Sequence, residues 1–176
     1  MPITMAILNQ KGGVGKTTTA VTLASGLART GLQVLLIDLD TQGNVADSLG
    51  LPHGDDLRRL LSPDLHFPLD QVATPSGVDR LAVIRSDKST TALKQTLAGV
   101  TLREYILAEV WAGAAYDVIL LDCAPSADLL HFAALVAADY LLIPTRLDKL
   151  AVNGVRDALQ TLSALKRISR CQVAGI

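Results

Sequence analysis

The segment Lys11 to Thr18 reads Lys-Gly-Gly-Val-Gly-Lys-Thr-Thr and closely follows an apolar run, Ile3 to Leu8, with the character of a buried strand. Gly12, Gly13 and Gly15 let the backbone turn tightly and aim several N–H groups inward. The start of the helix that follows adds its positive dipole end, and Lys16 adds a full charge. A cradle of this kind suits a polyphosphate. It needs acids beside it to manage a metal, and two segments offer them. Asp122 ends the apolar run Val118 to Leu121, where a carboxylate can hold a magnesium shell through water while the Thr17 hydroxyl ligates directly. Asp38 and Asp40 stand at the end of a second apolar run, Val34 to Ile37, in Asp-Leu-Asp-Thr-Gln-Gly-Asn. Strand ends of a parallel sheet are where ligands bind.

The loop departs from the usual phosphate-loop pattern, G-x-x-x-x-G-K-[ST]. Gln10 stands where the first glycine belongs, and a second lysine, Lys11, precedes the glycines. This K-G-G-x-G-K-T variant resembles the deviant Walker A loop of the ParA/MinD ATPases. Asp38 to Asn44 resembles the D-x-D-P-Q-G-N motif of the ParA type, with Thr41 in place of proline. Asp122-Cys123-Ala124-Pro125-Ser126 is similar to that family's D-C-P-P-S segment, and Pro144 to Asp148 to the stretch after its next strand. The resemblance implies binding of ATP and ADP with Mg2+ by Lys11, Gly12, Gly13, Val14, Gly15, Lys16, Thr17 and Thr18. It implies metal held by Thr17 and Asp122, with Asp38 as a further metal candidate. It gives catalytic roles to Lys16, to Asp40 at the attacking water, and to Lys11, which reaches the nucleotide of the other subunit in a homodimer.

Apolar runs and helical periodicity alternate along the chain, which predicts an α/β fold of the P-loop NTPase type: a mostly parallel sheet with helices on both faces. Expected helices cover Lys16 to Thr30, a short stretch around Asp56 to Leu61, Ser89 to Leu97, Leu102 to Trp111, Ala127 to Ala137 and Asn153 to Ile168. Expected strands also include Leu81 to Ile84 and Tyr140 to Ile143. Thr41 to about Pro75, rich in Gly, Pro and Asp, is expected to be the least regular part. The whole is read as one domain of residues 1–176. Gln172 to Ile176 has the look of an opening strand, so the chain is expected to lack the family's C-terminal part, including its adenine-contacting segment.

At 176 residues and 49% hydrophobic content the chain can bury a core, and with 3% aromatics that core must be chiefly Ala, Leu and Val. The net charge of −1 supplies no global attraction for nucleic acid, so DNA binding would rest on a local patch or on assembly. Cys123 and Cys171 fit no metal spacing, and His53, His66 and His131 are read as loop or helix-surface residues. The absence of a basic leader with an apolar segment, or of a long apolar run, predicts a cytoplasmic protein with no membrane role.

The ParA resemblance implies a slow ATPase that partitions plasmid or chromosome DNA, bound nonspecifically by the ATP dimer and stimulated by a ParB-type partner. Such a protein would be nucleoid-associated if DNA binding is retained. The only basic cluster, Lys166-Arg167-Ile168-Ser169-Arg170, reads equally as a DNA patch or a solvated helix end. Three alternatives stand beside this. One is a truncated chain that binds nucleotide or a partner without turnover. A MinD-like membrane cycle would need a terminal amphipathic helix, and none is visible. An iron–sulfur ATPase would need a second suitably placed cysteine beside Cys123.

Overall fold

A computed structural model describes residues 1–65 and 67–176; His66 lies outside the described residues. The chain runs β1 (Ile3–Ile7), α1 (Lys16–Arg29), β2 (Val34–Asp38), α2 (Asn44–Ser48), α3 (Asp56–Leu61), α4 (Leu69–Val72), β3 (Thr74–Pro75) and β4 (Leu81–Ile84). It continues through α5 (Thr90–Leu97), a 3-10 turn (Arg103–Tyr105), α6 (Ile106–Val110), β5 (Val118–Asp122), α7 (Leu129–Ala137), β6 (Tyr140–Leu142), α8 (Lys149–Ala164) and β7 (Gln172–Gly175). The strands form one sheet in the order β3-β4-β2-β5-β1-β6-β7, parallel throughout except for β3.

Alternation along β2 and β5 sends successive side chains to opposite faces. Leu35, Ile37, Ile119 and Leu121 join a core with Leu57, Leu97, Leu107 and Leu135, residues of α3 and α5–α7. Val34, Leu36, Val118 and Leu120 meet Ala20, Ala24 and Ala28 of α1 on the other face. Both faces are therefore covered, which is why these two strands are apolar without interruption. The alanine stripe at four-residue spacing lets α1 lie close to the sheet. Burying each of the four larger side chains stabilises by roughly 1.5–3 kcal/mol. Exposed pairs such as Asp79–Arg80 and Arg146–Asp148 are worth about 0–1 kcal/mol. The apolar layers, not surface charge, hold the strand ends in place.

The irregular stretch after Thr41 contains more structure than its composition suggests: α2, α4 and the two-residue antiparallel β3. The last helix starts at Lys149, not Asn153, because Asp148 caps it by accepting the Ala151 N–H at 2.9 Å. The predicted helix from Leu102 divides into a 3-10 turn and α6, following a left-handed Leu102 at φ 57°. His131, read as a surface residue, is buried in α7 against the Phe132 ring, with centroids 5.6 Å apart. Among the described residues no helix is long and apolar enough to cross a membrane.

Candidate functional site

The sheet order puts the carboxyl ends of β1, β5 and β2 side by side. Ile7 and Asp38 are both Cα partners of Asp122. The loop after β1 is thereby set next to the acids at the ends of β5 and β2. Gly15 caps α1 in the left-handed region at φ 91°, a conformation that strains any residue with a Cβ. No side chain caps this helix, and its first intrahelical bond runs from the Thr19 N–H to the Gly15 carbonyl at 2.8 Å. The amides ahead of it have no intrahelical partner, so they and the helix dipole favour an anion.

Lys16 is 8% exposed, and its Nζ donates to the Lys11 carbonyl at 3.1 Å. Burial lowers its pKa, while Asp122, Cys123 and Asp40 oppose the fall. Burial also raises the Asp122 carboxyl to about 6, although the Thr17 hydroxyl and the Lys16 ammonium pull it down. Asp38 is pushed up to about 7 by burial and by the neighbouring Asp122 charge, against the amides of Asp40 and Val45. Its two oxygens accept those amides at 2.9 and 3.1 Å, so Asp38 anchors the loop that follows. Asp122 differs, because its Oδ1 is buried and without a hydrogen-bond partner. An orphaned carboxylate oxygen beside Thr17 is an acceptor left without a donor, of the kind that a cation or its bound water satisfies. The residues present fit magnesium.

In front of these groups opens a cavity of about 550 Å³ lined by Gly12, Gly13, Gly15, Lys16, Thr17, Thr18 and Asp40, with Asn44, Asp47, Ser48 and Pro125 completing the wall. Most of the sequence-derived nucleotide residues thus meet in one place. Val14 turns its side chain inward and is 8% exposed, while Lys11 is half-buried and outside the cavity wall. Asp40 is half-buried, with Oδ1 accepting the Gln42 N–H at 3.1 Å. In the basic cluster, Arg170 is paired with Asp139 at 2.9 Å, and Lys166 and Arg167 are exposed.

Two positioning residues escaped sequence reasoning. Asn9 is fully buried; its Nδ2 donates to the Pro144 carbonyl at 2.9 Å and its Oδ1 accepts the Lys11 N–H at 2.9 Å. It ties the start of the phosphate loop to the end of β6. Gly154 on α8 lies against the same point: a Cβ there would stand 2.1 Å from Asn9 Oδ1 and 3.2 Å from the Lys11 nitrogen. The only local signal was a glycine within a helical pattern, and its reason lies more than a hundred residues away.

A family model described as an AAA domain matches residues 3–174. The chromosome partitioning protein ParA of Myxococcus xanthus is 35% identical over 166 residues, covering 93% of this chain and 59% of that protein. The chromosome-partitioning ATPase Soj of Thermus thermophilus is 38% identical over 164 residues, covering 92% and 62%. The chain therefore spans about three fifths of the length of these curated relatives. Among solved structures, cobyrinic acid a,c-diamide synthase from Mycobacterium smegmatis, with bound ATP analog and magnesium, superposes with a TM-score of 0.88. It is 28% identical, over 98% of this chain and 72% of that one.

Proposed function

The chain belongs to the ParA-type ATPase family, and from that premise we propose that it binds and hydrolyses Mg-ATP at the loop between β1 and α1. The observation that carries this reading is the buried, unpartnered Asp122 Oδ1 beside Thr17, behind a cavity floored by the phosphate loop. Magnesium, when bound, neutralises charge developing on the phosphate oxygens. Thr17 and Asp122 would hold it. The amides of the loop and Lys16 take the remaining charge, and burial strengthens the lysine's contribution because water does not screen it. Asp40 lines the cavity from a loop pinned by Asp38, which supports its assignment to orienting the attacking water.

In the further reading, ATP joins two copies and Lys11 serves the partner's nucleotide. Lys11 stands outside its own chain's cavity wall, which favours such a role. The names of the relatives support a task in chromosome partition; nonspecific DNA binding and a ParB-type stimulating partner are the further parts of this reading, and rest on the likeness of Asp38 to Asn44 to the ParA motif. The test is ATP hydrolysis with and without DNA by wild type, Lys16→Ala and Asp40→Ala. The wild type should turn over with a magnesium requirement. Loss of the Lys16 charge should lower kcat about 10²–10³-fold, and Asp40→Ala should keep ATP binding without turnover. A wild type no faster than either variant overturns the hydrolytic reading and leaves a nucleotide- or partner-binding protein.

A further inference from the structure

Beside the phosphate cavity stands a pair that the hydrolytic scheme leaves without a task. Asp47, on α2, lines the cavity together with Asp40, and its Oδ1 is 2.9 Å from His53 Nε2. The same imidazole covers Gly43. A Cβ at that glycine would stand 3.0 Å from both His53 Nδ1 and Cε1, and 2.8 Å from the Ser86 carbonyl. Gly43 caps α2 at φ 71°, and its N–H donates to the Asp40 carbonyl at 3.3 Å. One ring therefore bears on both ends of the segment that runs from the cap glycine to Asp47. The strap carrying His53 is itself fixed. Arg85, paired with Asp56 at 2.7 Å, donates to the Pro52 carbonyl at 3.2 Å and packs against Gly54.

We propose that His53 is a positioning residue for the loop that presents Asp40. It confines Gly43 against the Ser86 carbonyl and holds the Asp47 carboxylate by a hydrogen bond. An unrestrained carboxylate in the wall of a polyphosphate cavity repels the ligand and is free to swing. An imidazole N–H at 2.9 Å removes that freedom in whichever tautomer or charge state places the proton on Nε2. The inference rests on the hydrolytic reading above.

The test compares His53→Ala with His53→Gln, whose side-chain amide offers a donor of similar reach. Two readouts are taken: amide hydrogen exchange at Gly43 to Val45 without nucleotide, and steady-state ATP hydrolysis. Loss of this hydrogen bond, between side chains 45% and 64% exposed, should speed exchange about threefold in the alanine variant and lower kcat about twofold, with KM for ATP changed less. Glutamine should recover most of both. Unchanged exchange in His53→Ala, or a glutamine variant as impaired as alanine, overturns the proposal. If wild type hydrolyses no ATP, the hydrolytic reading falls by itself, and the exchange comparison alone decides the role of His53.

Discussion

Replacing Asp122 by asparagine should stabilise the nucleotide-free protein while abolishing its chemistry. Asp122 and Asp38 are Cα partners, 1% and 0% exposed, and burial raises their carboxyls from 3.8 to about 6 and about 7. At pH 8 both are charged, and the rise at Asp122 corresponds to roughly 3 kcal/mol of unfavourable ionisation. An amide in the same place with unmet hydrogen-bonding capacity gives back about 1–2 kcal/mol. The net gain is then on the order of 1–2 kcal/mol, or roughly 3–6 °C in Tm for a chain of this size. The native state binds more protons than the unfolded one between pH 3.8 and about 7, so stability is fully present below that window and falls as pH rises through it. Wild type should therefore be the more stable near pH 4, where only the cost of the amide remains, and the order should cross as Asp122 ionises so that the variant leads above pH 7. Thermal unfolding across this range, with and without Mg-ATP, makes the measurement. Saturating Mg-ATP should reverse the order, since ligand at 100 times Kd adds about 2.7 kcal/mol to the protein that binds it. A variant less stable than wild type at pH 8 without nucleotide, or a difference independent of pH, would refute the reasoning.

Gly154→Ala should destabilise the fold by about 1–3 kcal/mol and weaken ADP binding, because the new Cβ would drive Asn9 off the Lys11 amide; unfolding and equilibrium binding of ADP read the two effects, and unaltered binding would separate Asn9 from the phosphate loop. Lys94→Met tests the tie between α5 and the segment after β5. Burial pushes the Asp128 carboxyl up, but hydrogen bonds from Lys94 and Ser126 prevail and hold it below 3.8. That contribution is present above pH 3.8 and lost as pH falls through the lower native value. The variant should lose about 1 kcal/mol at pH 7 and little at pH 2, by urea unfolding.

The strands that carry the site were legible because burial on both faces forces an unbroken apolar run, as in Val34 to Ile37 and Val118 to Leu121. Lys16, Thr17 and the glycines were legible because a phosphate cradle is built from consecutive residues. What escaped depends on contacts across the chain. Asn9 matters through Pro144, Gly154 through Asn9, and His53 through Gly43 and Asp47. The short α2 was hidden because a capping glycine inside a Gly- and Asp-rich stretch reads as a turn. The start of α8 was misplaced because Asp148 was read for its likeness to a family segment when its local task is to cap the helix.

The strand order also governs when this site can exist. β1 and β2, the first two strands made, are not neighbours; β5 lies between them. During synthesis the phosphate loop and the Asp40 loop both emerge early, but nothing holds them at the right separation until Val118 to Asp122 has inserted. A growing chain therefore carries a complete phosphate-binding motif from Thr18 onward, without a working site until Asp122 has been made. Closure over about eighty residues between β2 and β5 is the slow kind of contact. Competence for the nucleotide arrives in one step, with the strand that brings Asp122.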